Sequence, residues 1–304
     1  MKAKAKENYL ASGHNACPGC GAAIALRLIL RASGKDIIVV SPTGCVETFT
    51  SPYDMSAWEV PWVHSLFENA PAVASGIELA LKSKGDSTTR VLVIAGDGAT
   101  FDIGMGSLSG MLERGHEILY ICYDNEAYMN TGIQRSSGTP YGASTTTTPI
   151  GSCSFGKEQP KKDMIAIANA HKAKYVASAT IAYPQDLMRK VKKGLETKGA
   201  SYLHIAAPCN LGWGFNPEET VELSRLIVET GLFPLVEYEN GQLVKAFKIK
   251  AIKPIAEYIK KQRRFAHLLS EENADKLEAI QKEADENIEI YDLLRKDAGN
   301  DTAV

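Results

Sequence analysis

The chain has 304 residues, 44% hydrophobic and 23% charged, an ordinary composition for a globular protein that excludes a mainly disordered or collagen-like chain. Its 34 Lys and Arg against 36 Asp and Glu leave a net charge of −2, which removes the electrostatic case for a nucleic-acid partner. No apolar run approaches the ~18 residues of a membrane span, and the start MKAKAKENYLASGHNAC lacks the apolar stretch of a secretory signal, so a cytoplasmic location is expected.

The first element in chain order is the turn Cys17-Pro-Gly-Cys20-Gly, a CxxC hairpin suited to Zn²⁺, a redox disulfide or an iron–sulfur cluster. A strand is predicted over 37–41, β-branched and bounded by Lys35-Asp36 and Pro42, with Thr43-Gly-Cys45 just beyond it. A helix follows over 70–82, its apolar stripe drawn through Ala72, Val73, Gly76, Ile77, Ala80 and Leu81. The strand 91–95 ends at Gly96-Asp-Gly98, and the next helix turns Leu108, Met111 and Leu112 inward. The strand 118–123 ends at Asp124-Asn125. A helix over 184–198 precedes the strand 202–206, which runs into Ala207-Pro-Cys209. These strands are apolar on both alternating sets of positions, the mark of parallel strands buried on two faces. The alternation predicts an α/β fold: a mainly parallel sheet with helices on both faces. Ligands in such a sheet lie beyond the carboxyl ends of the strands, where these motifs fall.

Past residue 240 the pattern changes. The stretch 242–264 holds eight basic residues and one acid; 270–304 holds four basic and eleven acidic residues. The chain is therefore divided into a domain over 1–240 and a charged helical C-terminal arm over 241–304. The arm reads as a solvated face with a frayed end, as a contact for a neighbouring subunit, or as two segments that pair with each other.

The segment Gly96-Asp-Gly-Ala99 combines a tight turn, glycines that admit a ligand close to the backbone, and a carboxylate at a strand tip. Asp124-Asn-Glu-Ala-Tyr-Met-Asn130 leaves the next strand. Neighbouring strands would bring an Asp97 oxygen, the Asn125 amide oxygen and the Ala127 carbonyl together, an oxygen set suited to Mg²⁺. The amides of a helix starting after Gly98 would receive a diphosphate. The plain alternative is a βα turn with an Asp cap. The two halves together resemble the thiamine diphosphate fingerprint. Gly104, Gly106 and Gly110 follow GxGxxxG with no strand before them, and are read as small residues where a helix meets another backbone, not as a dinucleotide site.

Six cysteines in a chain without export signals are read as thiols or ligands. Cys17, Cys20, Cys45 and Cys209 come from one turn and two strand ends, which suits a cubane cluster or zinc, with a disulfide third. Cys122 is mid-strand and reads as a buried small hydrophobe. Cys153 lies on a loop, its role open.

Gly13-His-Asn-Ala-Cys17-Pro-Gly-Cys20-Gly, Ser65-Leu-Phe-Glu-Asn69, Gly96-Asp-Gly98 with Asp102-Ile-Gly-Met-Gly106, Tyr128-Met-Asn-Thr-Gly132 and Pro208-Cys209 with Gly212-Trp213 stand in order. Together, from about Gly13 to Lys261, they resemble the β subunit of the 2-oxoacid:ferredoxin oxidoreductases, most closely the pyruvate type. The resemblance implies a thiamine diphosphate-binding fold and the oxidative decarboxylation of a 2-oxoacid, most closely pyruvate. Coenzyme A would take the acyl group, electrons would pass through a [4Fe–4S] cluster to ferredoxin, and the reaction would run in reverse as a carboxylating synthase. It implies Cys17, Cys20, Cys45 and Cys209 as cluster ligands, and Asp97, Asn125 and Ala127 as holders of Mg²⁺. Thr43, Gly44, Cys45, Gly96, Asp97, Gly98, Ala99, Asn125, Ala127, Tyr128 and Asn130 would contact the cofactor, with Asn130 nearest the reacting thiazolium. Ala22 is a departure: some relatives carry Glu there, near the cofactor.

The resemblance also implies partners of the alpha, gamma and delta types. They would supply the activating Glu, the substrate Arg, the coenzyme A site and further clusters, since none of Glu47, Glu68 and Glu126 is a convincing activator. Two other readings stand beside it: a non-redox thiamine lyase or synthase with structural zinc, and a non-catalytic assembly subunit. A branched-chain or aromatic 2-oxoacid is the alternative to pyruvate. His14, His64, Trp58, Trp62 and Trp213 are read chiefly as structural; the 145–148 threonine run is a surface loop or a wall over the thiazolium.

Overall fold

The computed structural model describes residues 8–52 and 54–295. The N-terminal lysines and the last part of the C-terminal arm, 296–304, lie outside them. Ten helices and ten strands follow in chain order: α1 Gly21–Ser33, β1 Ile37–Pro42, α2 Cys45–Thr50, β2 Trp62–Ser65, α3 Ala70–Ser83, β3 Arg90–Gly96, α4 Met105–Glu113, β4 Ile118–Asp124, β5 Ile150–Gly151, β6 Ser154–Phe155, α5 Met164–Ala170, β7 Tyr175–Thr180, α6 Pro184–Glu196, β8 Ser201–Ala206, α7 Asn210–Trp213, α8 Thr220–Glu229, β9 Val236–Glu239, β10 Gln242–Ala246, α9 Ile255–Ile259 and α10 Ala274–Ile290, among the described residues.

Eight strands form one sheet in the order β10-β9-β7-β8-β4-β3-β1-β2. The six from β7 to β2 are parallel; β9 and β10 close one edge as an antiparallel hairpin. Strand pleating explains the continuous apolar runs. Leu92, Ile94, Leu119, Ile121, Leu203 and Ile205 pack with α1 and α6 on one face. Val91, Val93, Ile118, Tyr120, Cys122 and Tyr202 pack with α3, α4 and α5 on the other. The predicted fold class and four central strands are therefore observed, and Cys122 is fully buried. No helix among the described residues is long and apolar enough to cross a membrane.

Three expectations are corrected. The fully buried residues of α3 are Ala70, Pro71, Ala74, Ser75 and Glu78; of the predicted stripe, Val73, Ile77 and Leu81 are half-buried against this core, whereas Ala72, Gly76 and Ala80 are exposed. Glu78 is buried because His116 meets it at 3.0 Å and Lys82 at 2.6 Å, which hydropathy alone does not register. Of the three glycines around α4, only Gly104 lies against other backbone, the Ala99 and Glu68 carbonyls; Gly106 has open space and Gly110 meets the Arg114 side chain. The expected helix start after Gly98 is a π-helical turn, Gly98–Ile103, and the α-helix begins only at Met105.

The boundary drawn at 240/241 falls inside the β9–β10 hairpin, whose register pairs Gln242 with Glu239. Beyond it, Ile255, Tyr258, Phe265, Leu268 and Ile280 share a core with Trp213, Leu223 and Ile227. Basic and acidic segments of the arm do pair: Lys248 meets Asp292 at 2.9 Å, and Ile249 bridges to Leu294.

Candidate active site

Sheet order delivers the site. β8, β4, β3 and β1 are consecutive neighbours, so the loops carrying Cys209, Asn125, Asp97 and Cys45 emerge side by side at one sheet edge. The Ala207 amide donates to the Asp124 carbonyl at 2.8 Å, extending the β8–β4 ladder into the loops.

Asp97 is buried beneath the β3 tip, with its Oδ2 accepting from Ser136 Oγ at 2.5 Å. The terminal amide group of Asn125 comes within 2.9 Å of both Asp97 Oδ1 and the Ala127 carbonyl oxygen. Facing two acceptors, that group must present its NH2 when no cation is there. With its oxygen presented instead, that oxygen stands 2.9 Å from each of the other two, the spacing of adjacent ligands around Mg²⁺ given Mg–O distances of about 2.05 Å. The residues present therefore fit the metal. Glu126, between Asn125 and Ala127, has φ 70°, a conformation rare for a side-chain-bearing residue. It is held there by its amide donating to Asp124 Oδ1 (2.9 Å) and its carbonyl accepting from Thr139 Oγ1 (2.7 Å). Burial, then the neighbouring Asp124 carboxylate, push Asp97 well above the usual carboxylate range. Burial also opposes the charge on Asp124, but Lys161 at 2.6 Å and His204 at 2.8 Å outweigh it and hold that carboxyl down at about 2.

A cavity of about 100 Å³ opens over these groups. Thr43, Gly44, Cys45, Gly96, Asp97, Gly98, Ala99, Asn125, Ala127, Tyr128 and Asn130 all line it, so every expected cofactor contact but Ala22 is gathered there. Gly98 is required by close approach: a Cβ would sit 2.3 Å from the Tyr128 ring. The Tyr128 hydroxyl donates to Asp102 Oδ2 at 3.0 Å, which fixes that ring. Met129, within the expected 125–130 stretch, also lines the cavity, as do Phe67, Tyr123 and Thr131, which were missed. Tyr123 stands opposite Gly96 in the β3–β4 register, a signal available only once the strands are known to be neighbours.

The cysteines line an adjoining cavity of about 280 Å³ with Asn15, Thr48, Phe49 and Asn210; Cys17, Cys20, Cys45 and Cys209 are all present. Ala22 belongs to this cavity, because it lies in the first turn of α1 directly after Cys20. Cys45, Asn125 and Asn130 line both cavities. Among the described residues no three His, Cys, Asp or Glu side chains converge on one ion-sized point. The four thiols line the walls of one cavity, a donor set that a cluster or zinc could use. Burial, then the Cys209 thiol, push Cys45 up to about 12. Burial likewise pushes Cys20 up to about 11. Cys209 Sγ accepts from the Gly212 amide at 3.4 Å.

Gly19 and Gly21 seat the CxxC turn. Gly19 has φ 71°, and its carbonyl accepts from Thr220 Oγ1 at 2.6 Å. The Gly21 amide donates to the Pro208 carbonyl at 3.1 Å, and a Cβ there would lie 2.6 Å from that oxygen. Gly21→Ala is expected to cost about 1–3 kcal/mol and to move the turn away from Cys209. Its check is an earlier thermal transition; a wild-type transition would count against this seating.

His14 Nδ1 accepts from the Ala16 amide, within its own turn. Trp58 and Trp62 stack at 5.6 Å, His64 continues the stack, and its Nε2 lies 2.9 Å from Thr43 Oγ1. Trp213 is buried, and its Nε1 donates to the Asn125 carbonyl at 2.8 Å. The 145–148 segment is a tight turn that lines neither cavity. Glu126 is sealed into ion pairs with Lys161 and Arg264, Glu47 is engaged by Thr48 and Ser51, and Glu68 is exposed. Among the described residues Asp97 is the one carboxylate lining the smaller cavity. Cys153 is exposed on the β5–β6 turn.

Residues 42–205 match the family described as thiamine pyrophosphate enzyme, C-terminal TPP binding domain. The chain is 55% identical over 269 residues to pyruvate synthase subunit PorB of Methanothermobacter thermautotrophicus, covering 88% of this chain and 93% of that one. It is 47% identical to ketoisovalerate oxidoreductase subunit VorB of Pyrococcus abyssi, over 96% of this chain and 93% of that one. A solved 2-oxoglutarate:ferredoxin oxidoreductase from Magnetococcus marinus shares the fold, with TM-score 0.60 at 21% identity over 92% of this chain and 97% of that one.

Proposed function

The chain belongs to the β-subunit family of the pyruvate-type 2-oxoacid:ferredoxin oxidoreductases, and we propose that it binds Mg²⁺ and a [4Fe–4S] cluster as well as thiamine diphosphate, and passes electrons from pyruvate toward ferredoxin. One observation carries this reading. The cavity over Asp97 and Asn125 and the cavity ringed by four thiols are neighbours that share Cys45, Asn125 and Asn130.

When bound, thiamine diphosphate supplies the nucleophilic carbon and electron sink for losing carbon dioxide from a 2-oxoacid, and the cluster accepts the electrons one at a time. Asp97, Asn125 and Ala127 hold the cation that anchors the diphosphate. Gly98, with no Cβ, leaves room for the Tyr128 ring that walls the cavity beside the π-helical turn. Asn130 stands where the two cavities meet, suited to hold a polar group of the substrate by its amide. Cys17, Cys20, Cys45 and Cys209 ligate the cluster.

The smaller cavity, about 100 Å³, is well below the ~300 Å³ at which a small ligand is mostly enclosed. Another subunit is therefore proposed to complete the wall and to bring the activating carboxylate, the substrate Arg and the coenzyme A site. Partners of the alpha, gamma and delta types, and a cytoplasmic location, belong to the same reading. The purified single chain is expected to give no pyruvate oxidation with a dye acceptor, and the assembled complex to give it; turnover by the single chain alone would refute the shared site. Anaerobic purification followed by iron, sulfide and thiamine analysis tests the cofactor set, and a colourless zinc protein would defeat it. The likeness to a ketoisovalerate oxidoreductase subunit favours a branched-chain 2-oxoacid as the second substrate reading. The ratio of kcat/KM for pyruvate and 2-oxoisovalerate in the complex decides between them.

A further inference from the structure

The basic stretch of the C-terminal region sends one cation into the interior. Arg264 is only 6% exposed. Its guanidinium lies 3.9 Å from the centre of the Trp213 ring, and its Nη2 meets Glu126 Oε2 at 2.5 Å. Its Nε donates to the buried Gln262 Oε1 at 3.0 Å. These contacts address both halves of the site. Trp213 ends the short helix that follows Cys209, and its Nε1 holds the Asn125 carbonyl. Glu126 is the left-handed residue between Asn125 and Ala127. Its other oxygen meets Lys161 at 2.7 Å, but that Nζ is already shared with Asp124 at 2.6 Å. By contrast, Lys253 pairs with Glu229 at 3.0 Å, a half-buried pair that lines neither cavity.

We propose that Arg264 is a positioning residue that locks the 125–127 loop to the 209–213 turn, so that the Mg²⁺ ligands and the Cys209 cluster ligand share one support. The inference rests on the ligand assignments proposed above. Its physical basis is specific to arginine. A flat guanidinium stacks on an indole and ion-pairs with a carboxylate in one placement; an ammonium cannot do both. Without it, a buried Glu126 is left undercompensated next to a strained backbone that persists only while its surroundings hold it.

The test uses the assembled complex with Arg264→Met, Arg264→Lys, and Lys253→Met as a control that removes another ion-paired cation of the same region without touching the site. Two quantities are read: the Mg²⁺ concentration that half-saturates thiamine diphosphate binding, and the EPR line shape of the reduced cluster. Arg264→Met is expected to raise the half-saturating Mg²⁺ about 10–100-fold, the usual effect of losing an outer-sphere support, and to alter the line shape. Arg264→Lys should recover part of both, and Lys253→Met should leave both unchanged. An Arg264→Met complex that matches the control in either reading overturns the shared support. If that variant fails to assemble, Arg264→Lys decides: wild-type readings overturn the inference, and a joint partial shift upholds it. A wild-type complex with neither Mg²⁺ dependence nor a cluster signal would overturn the proposed function, and this inference with it.

Discussion

Asp97→Ala is expected to weaken Mg²⁺-dependent thiamine diphosphate binding by more than about 100-fold, since outer-sphere partners alone are worth 10–100-fold, while the iron and sulfide of the complex stay at wild-type levels. Asp97 is the one charged group among the three oxygens that face each other at the β3 and β4 tips. Its loss leaves two neutral oxygens, a poor set for a hard dication. Thiol geometry should survive, because Asp97 lines the smaller cavity and not the one ringed by cysteines. The same carboxyl predicts a pH dependence. Burial and Asp124 raise its titration well above the usual range, so the metal must displace a proton. Mg²⁺ affinity should therefore strengthen as pH rises through the elevated Asp97 titration, then level off. Half-saturation measured across pH checks this; tight binding retained by the Asp97→Ala complex would remove Asp97 from the metal site.

Cys45→Ala should have the opposite selectivity. Iron, sulfide and visible absorbance are expected to fall toward background, and electron delivery to an external acceptor with them, while thiamine diphosphate still binds. Cys45 is the thiol that lines both cavities, and α2 begins at that residue, so its backbone position is fixed independently of any ligand. As a free thiol it is held protonated by burial, with a titration near 12, so ligation must release that proton. Cys153→Ala, at an exposed turn away from both cavities, is the matched control and should leave all readings intact. A Cys45→Ala complex that kept its full iron and colour would show that the thiols of this rim do not hold a cluster. The two substitutions together separate the halves of the site: one should lose the cation and keep the iron, the other the reverse.

What was legible beforehand was whatever adjacency in the chain encodes. A strand apolar on both faces, followed at once by Gly96-Asp-Gly98 or Asp124-Asn125, announces its own position at the carboxyl end of a parallel sheet, because covalent connection leaves no other place for the loop. The same logic placed Cys45 and Cys209, and the structure gathers those residues at one rim. Other elements carried weaker local signals. β7 reads Tyr-Val-Ala-Ser-Ala-Thr, too poor in large β-branched residues to stand out, although it is fully buried. Half of the stripe drawn on α3, Ala72, Gly76 and Ala80, is exposed because that helix has apolar or small residues nearly all round. Period alone then cannot choose a face, and the choice fell to Glu78 finding His116 from a segment 38 residues away.

By itself, then, the amino-acid sequence determined the fold class and which donor side chains stand at the strand ends, since both follow from short-range pattern. Only the tertiary structure decided that β8 returns between β4 and β7, bringing Cys209 beside Asn125. It likewise decided that Ala22 lines the same cavity as the four thiols, and that Arg264 reaches Glu126 across 138 residues of chain. The reason is that these choices are made by packing between distant segments. A buried arginine settles where an indole face and a carboxylate already wait, and no local window of the chain contains both.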